Sequence, residues 1–211
     1  MGSRSLSCAL IALGILSVSS KAADLRFGLS ATVSKPGGDI GNDAHLDGKL
    51  GYGLGASLQV DLGEGWAITP RVDYTTAKRS RYWGKSFAGV DFVGSSEMKA
   101  DTYLLGADAS YHFRGVTQDG FYALAGLGYA STRLKNSGYA SATAGAITLG
   151  RAAAMFDESE TKGSVYAAIG MGYDFTRHLG AQLHYVALTK YKGAGEELTG
   201  SSLNASFIVR F

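Results

Sequence analysis

A short basic stretch stands out among the residues whose chemistry could serve a function. Lys78, Arg79 and Arg81 lie within four positions, and Lys85 follows soon after them. Lys and Arg side chains make charge-assisted hydrogen bonds to phosphate oxygens. The stretch therefore predicts contact with a phosphorylated ligand, although an ordinary solvated loop would have the same composition.

His184 is the best candidate for acid–base catalysis, because imidazole exchanges protons near neutral pH. A hydrolytic pair would need a Ser hydroxyl beside it. In the segment Leu183-His184-Tyr185, no Ser lies two residues away on the same face. We therefore expect His184 to be a hydrogen-bonded interior residue, and we predict no catalytic residue, no metal and no cofactor.

Composition excludes several classes of protein. Cys8 is the only cysteine and lies in the N-terminal segment, so disulfide frameworks and thiol catalysis are not expected. The 20 Lys and Arg against 18 Asp and Glu leave a charge of +2, which vanishes if Arg4 and Lys21 are removed by processing. No net positive charge remains to attract nucleic acid.

The N-terminus has the pattern of a cleaved signal peptide. Arg4 is followed by a short apolar core over residues 9–16, and Ala22 ends a small-residue cleavage site. A membrane-spanning helix would need about 20 apolar residues. We expect residues 1–22 to form the signal peptide and residues 23–211 to form one domain.

The elements that must position the charged side chains are strands. Apolar and polar residues alternate repeatedly, as in Tyr103, Leu105 and Ala107 against Leu104, Gly106 and Asp108. Period-two alternation is typical of strands with one apolar face. Eight strands are predicted, at about 24–33, 49–62, 66–77, 99–113, 121–132, 163–175, 181–190 and 200–211.

Short and long connections alternate between these strands. The long ones cover residues 34–48, 78–98, 133–162 and 191–199. Aromatic residues fall at both ends of the apolar face: Trp66, Phe113, Phe121, Phe175 and Phe211 at the short-turn end, and Tyr52, Tyr74, Tyr103 and Tyr129 at the other. Two aromatic girdles favour a barrel facing lipid over a soluble β-sandwich or lipocalin-like barrel.

One residue type is unfavourable inside its predicted strand. Pro70 lies inside the third strand but has no backbone N–H to donate. We therefore expect a bulge or a break in strand pairing at this position.

These features resemble a known family. The signal peptide, the eight alternating strands, the segment from Trp66 to Tyr74 after a Gly turn, and the terminal Phe211 are similar to the small outer-membrane β-barrels of Gram-negative bacteria, of the OmpA transmembrane-domain and OmpX type. The resemblance implies an all-β, eight-stranded antiparallel up-and-down barrel. It also implies periplasmic termini and a C-terminal strand recognised by the barrel-assembly machinery.

Placing the apolar face outside puts the charged residues in the lumen. Buried charges must be paired, and an eight-stranded barrel is just wide enough for side chains to fill it. We predict that Arg71 meets Asp108 at mid-depth and that ion pairs among Arg26, Asp61, Asp174 and Arg210 close the periplasmic floor. The predicted plug comprises Arg26, Asp61, Arg71, Asp73, Asp108, Asp174 and Arg210.

The sequence therefore predicts a non-enzymatic outer-membrane barrel with a plugged lumen, serving membrane integrity or surface interaction through its extracellular loops. The expected partners are outer-membrane lipid, lipopolysaccharide and a host or surface ligand, and not nucleic acid. Lipopolysaccharide phosphates are the expected ligand of Lys78, Arg79, Arg81 and Lys85. The alternatives are a narrow channel for small or hydrophobic solutes and a lipid A-modifying enzyme.

Overall fold

The structure, a computed structural model, describes residues 24–38, 49–87, 90–144, 154–193 and 196–211. The predicted signal peptide at residues 1–22 lies outside the described residues. Eight antiparallel strands form a closed ring in chain order. They are β1 (Leu25–Gly37), β2 (Gly51–Gly63), β3 (Trp66–Phe87), β4 (Val90–His112), β5 (Gly120–Ala144), β6 (Ala154–Asp174), β7 (Leu179–Gly193) and β8 (Glu196–Arg210).

The ring closes by pairing the first strand with the last. Gly28 lies opposite Arg210, and the ladder continues through ten residue pairs to Gly37 and Ser201. The Phe211 N–H donates to the Phe27 carbonyl at 2.8 Å, so the terminal aromatic residue is tied to β1. The predicted eight-stranded antiparallel barrel is confirmed.

The barrel is apolar outside and polar inside. Leu127 and Ile169 are 68% and 65% exposed on the outer wall, whereas Asp174 in the lumen is 1% exposed. This arrangement inverts that of a soluble protein, and so large an exposed apolar surface requires lipid to cover it. Among the described residues, no helix is long and apolar enough to cross a membrane.

Three predicted loops are largely strand, which corrects the sequence analysis. β7 continues to Gly193 and β8 begins at Glu196, so most of the expected loop 191–199 belongs to these two strands. β3 and β4 pair in one unbroken register over most of residues 78–98, and β5 and β6 do so over much of residues 133–162. These strands have 22, 23, 25 and 21 residues, whereas the other four have 13 to 15. Beyond the lipid neither face needs to be apolar, so the hydrophobic alternation that marks a strand disappears.

Pro70 interrupts the ladder between β2 and β3. Ser57 pairs with Arg71 and pairing resumes at Val60 with Ile68, so Pro70 has no partner on β2. On its other side Pro70 still lies opposite Ala107 of β4. The predicted break in pairing is confirmed, and the register is the same on both sides of it.

Aromatic side chains form two girdles on the outer wall. Trp66 packs against Tyr111 at the short-turn end, with ring centroids 5.1 Å apart, and Tyr74 packs against Tyr103 at 5.0 Å toward the other end. The eight residue steps from Trp66 to Tyr74 span about 27 Å along a strand, or about 20 Å of height at a tilt of about 40°. The lower girdle comprises Trp66, Phe113, Phe121, Phe175 and Phe211, and the upper girdle comprises Tyr52, Tyr74, Tyr103 and Tyr129.

Candidate functional site: a closed lumen and a charged projecting sheet

The middle of the lumen holds a buried ion cluster around Arg71. Its Nε lies 2.6 Å from Asp73 Oδ2, and its Nη1 lies 2.9 Å from Asp108 Oδ2. Room for the carboxylates comes from glycine, since a Cβ at Gly55 would overlap Asp73 and one at Gly126 would overlap Asp108. The structure thus brings together the two side chains expected to meet at mid-depth.

His184 belongs to the same cluster and not to a catalytic pair. It is buried, with its Nδ1 3.0 Å from Arg71 Nη1 and its Nε2 3.3 Å from Asp108 Oδ2. A neutral imidazole that accepts at Nδ1 and donates at Nε2 satisfies both contacts. Gln182 adds a third contact at 2.8 Å. His184 therefore orients the Asp108 carboxylate and has no free edge for a substrate.

A second ion pair lies lower in the lumen. Arg210 donates to Asp174, and both side chains are buried. Tyr122 lies beside this pair: its ring stacks on His112 with centroids 4.5 Å apart, and its hydroxyl donates to Gln182 at 3.1 Å. Arg210 also donates to the Tyr122 hydroxyl at 3.4 Å, and His112 Nδ1 lies 3.4 Å from Asp174 Oδ2, so these neighbours hold both charges of the pair in place.

The predicted floor of ion pairs is only half correct. Arg26 is buried but pairs with no carboxylate of the residues that the structure describes, and it donates instead to the backbone carbonyls of Val116 and Arg177. Asp61 accepts from the Gly63 N–H at 2.8 Å and so caps the turn between β2 and β3. The reason is that the turns containing Val116 and Arg177 place their backbone carbonyls within hydrogen-bond distance of the Arg26 guanidinium.

Sequence reasoning missed a Ser–His–Asp arrangement in the lower lumen. Ser110 Oγ lies 3.2 Å from His112 Nε2, and His112 Nδ1 lies 3.4 Å from Asp174 Oδ2. The spacing of Ser110 and His112 on one strand face was the available signal. All three are buried, and the adjoining cavity is about 30 Å³, room for about two waters. This arrangement has the order of a hydrolytic triad but no space for an acyl chain or sugar.

An apolar layer closes the lumen above the Arg71 cluster. Leu104, Tyr166 and Val186 pack together with Ala130 and Ala168. Two further lumenal cavities among the described residues have volumes of about 10 and 40 Å³. An apolar constriction of this kind opposes the passage of water as well as of ions. Charged and apolar layers therefore divide the lumen into isolated pockets.

Above the upper girdle the four long strands continue as a sheet. This projecting sheet is formed by β3 from residue 77, β4 up to residue 100, β5 from residue 133 and β6 up to residue 163. Ala77 and Ala100 lie on its inner face, which continues the lumen wall, and pack with Met98 and Leu134. Its outer face continues the lipid-facing wall.

Strand alternation separates the four residues expected to bind phosphate together. Lys78 lies on the outer face of the projecting sheet, whereas Arg79, Arg81 and Lys85 share the inner face with Ala77. The expectation of one four-residue site is therefore wrong. The cause is that this stretch continues β3, in which neighbouring side chains point to opposite faces.

Metal binding has no support in the described part of the chain. No group of three or more His, Cys, Asp or Glu residues there is placed to hold an ion. The aspartates at 39, 43 and 47 lie outside the described residues.

A family comparison agrees with this geometry. The model of the outer membrane protein beta-barrel domain matches residues 8–211. The chain belongs to this family. Its place is therefore the bacterial outer membrane, with the apolar wall between the two girdles in contact with lipid. No curated protein matches the chain.

Several solved structures are similar to this chain at low sequence identity. Ail of Yersinia pestis, in complex with the heparin analogue sucrose octasulfate, is 12% identical with a TM-score of 0.50, over 90% of this chain and 99% of that one. Neisserial surface protein A is 18% identical, covering 90% and 100%, with a TM-score of 0.43. The N-terminal barrel domain of Pseudomonas aeruginosa OprF is 12% identical, covering 88% and 98%, with a TM-score of 0.43.

Proposed function

We propose that this outer-membrane barrel is a non-enzymatic surface-interaction protein that acts through its projecting sheet. The observation that carries the proposal is the length of β3–β6. From Tyr74 to Phe87, β3 runs for thirteen more residues, or about 44 Å at about 3.4 Å per residue. β1 and β2 have only thirteen residues each, which is enough to cross the lipid. The extra length therefore serves contacts outside the membrane.

The ligand that best fits the projecting sheet is an anionic glycan. Arg81 and Lys85 are exposed on its inner face, near the edge formed by β3. Glu158, Glu160 and Lys162 lie on the same face but on β6, three strands away from β3, and Lys162 Nζ lies 3.2 Å from Glu160. The β3 edge therefore carries net positive charge, and the β6 edge carries net negative charge. Ail, which has the same fold, was solved with a heparin analogue, and sulfated glycans attract Arg and Lys in the same way.

Heparin chromatography of the refolded full chain tests this proposal. A double variant, Arg81→Gln with Lys85→Gln, should elute at lower salt than the wild type, because fewer charged contacts must be screened. The matched control is Lys35→Gln with Lys49→Gln, which removes the same charge from exposed positions elsewhere. Equal elution of the two variants, or no retention of the wild type, would reject the glycan as ligand.

The lipid A-modifying enzyme remains the alternative with a specific observation in its favour, the Ser110–His112–Asp174 arrangement. Its position inside the lumen argues against it, since a lipid substrate would arrive from the outer wall. Lipid A mass spectra of cells with and without the protein test the point. A mass change that disappears with Ser110→Ala would replace our proposal by the enzymatic one.

We further propose that the chain is exported by cleavage after Ala22 and that both termini are periplasmic. The three short turns, the start of β1 and the end of β8 lie at the same end of the barrel, which supports this orientation. Assembly through the last strand is supported by Phe211, which lies in the lower girdle beside β1. N-terminal sequencing of protein from isolated outer membranes should begin at Ala23.

A further inference from the structure

Three lysines from different parts of the chain form a row on the outer face. Lys78 of β3 lies directly opposite Lys99 of β4, and Lys99 lies directly opposite Lys135 of β5. Alternation puts them on the same face as Tyr74 and Tyr103 of the upper girdle. Arg133 lies one row closer to the girdle, opposite Asp101. We name these four basic residues the outer cationic row.

The row stands just above the lipid. Lys78 is four residues beyond Tyr74, about 14 Å along the strand and about 10 Å in height at the usual tilt. Arg133 is likewise four residues beyond Tyr129, the girdle residue of its own strand. Tyrosine girdles mark the level at which hydrocarbon meets headgroups. The ends of these side chains therefore lie at the depth of lipid headgroups, on the side that faces them.

Part of this charge is already paired within the protein. Lys78 Nζ lies 2.8 Å from Glu97, and Lys99 Nζ lies 3.0 Å from Asp101. Tyr74 donates to the same Asp101 carboxylate at 2.8 Å. These contacts fix the side-chain positions of Lys78 on β3 and Lys99 on β4.

The β5 part of the row lacks such partners. Within the described ranges, no carboxylate forms an ion pair with Lys135 or Arg133, and Arg133 has only a 3.5 Å hydrogen bond to Ser159. Asp157 lies one row further out, opposite Ser137. Like charges placed directly opposite on neighbouring strands destabilise a sheet. An anion between the strands would remove this repulsion.

We propose that the outer cationic row binds the phosphates of lipid A in the outer leaflet, with Arg133 and Lys135 as the principal contacts. Three adjacent strands span about 10 Å, which suits the two phosphates carried by one lipid A disaccharide better than the single phosphate of a phospholipid. The site rests on the outer-membrane location alone, so it stands or falls independently of glycan binding on the inner face.

Binding of lipid A to the refolded full chain in detergent tests the proposal. We expect Arg133→Gln with Lys135→Gln to weaken binding of bisphosphorylated lipid A by about tenfold or more, because two charge-assisted contacts are lost. The matched control, Arg114→Gln with Arg177→Gln, removes the same charge from exposed side chains of the short turns and should bind like the wild type. Heat-dependent gel mobility verifies that each variant is folded.

Two results would overturn the assignment. If the control variant lost as much affinity for lipid A as the Arg133→Gln, Lys135→Gln variant, the loss would come from net charge and not from a specific site. If dephosphorylated lipid A, or phosphatidylglycerol micelles, bound the wild type as tightly as bisphosphorylated lipid A, the row would not recognise the two phosphates. If the Arg133→Gln, Lys135→Gln variant retained heparin binding, the inner face would bind glycans independently of the outer cationic row.

Discussion

Replacing Arg71 with methionine removes the cation at the centre of the mid-lumen cluster and keeps most of its volume. The guanidinium contacts Asp73 at 2.6 Å and Asp108 at 2.9 Å, and the three side chains are only 6–13% exposed. The variant leaves two buried carboxylates without their cation. Removing one partner of a buried ion pair costs about 3–5 kcal/mol. With two carboxylates affected, we expect a loss near the upper end of this range.

Urea unfolding of the refolded barrel in detergent, followed by tryptophan fluorescence, measures the loss. The comparison variant is Lys78→Met, because Lys78 and Glu97 form an ion pair of similar length, 2.8 Å, whose side chains are 53% and 42% exposed. An exposed pair contributes about 0–1 kcal/mol. The two variants therefore separate the effect of burial from that of ion-pair distance.

Combining Arg71→Met with Asp73→Asn and Asp108→Asn should restore at least half of the lost stability, because no unpaired charge remains in the lumen. Two outcomes would refute the reasoning. A loss below about 1 kcal/mol for the single variant would mean that the lumen is hydrated enough to screen the carboxylates. A triple variant no more stable than the single one would mean that Arg71 acts by packing and not by charge.

Three further predictions concern packing and closure. Gly126→Ala should lower the free energy of unfolding in urea by about 2–3 kcal/mol, because the new Cβ overlaps the fixed Asp108 carboxylate. The control, Gly84→Ala, should change it by less than about 1 kcal/mol, because its Cβ meets only ordinary contacts at 3.5 Å or more. Gly163→Ala should cost about 1 kcal/mol, measured the same way, because it displaces only the free end of the Tyr129 ring. In planar bilayers the wild type should show no single-channel steps; steady conductance would contradict the closed lumen.

The sequence by itself determined which residues face lipid and which face the lumen. Between the girdles each strand must be apolar on one side, so the alternation is visible in residues such as Tyr103, Leu105 and Ala107. The same parity correctly placed Arg71 and Asp108 inside the barrel. It also marked Pro70 as a break in pairing, because a missing N–H is a property of the residue type. This inside–outside pattern therefore needed no tertiary information.

The tertiary structure decided where the strands end and which side chains meet across them. Above the upper girdle water contacts both faces, so no hydrophobic pattern separates a projecting strand from a loop, and the separation of Lys78 from Arg79 could not be foreseen. The row of Lys78, Lys99 and Lys135 depends on register, which is set by pairing over the whole barrel. Arg26 donates to backbone carbonyls of two turns, and no local sequence pattern predicts that these turns fold across the opening. Alternation is a local property of each strand, whereas strand length, register and turn position result from closing all eight strands into one ring.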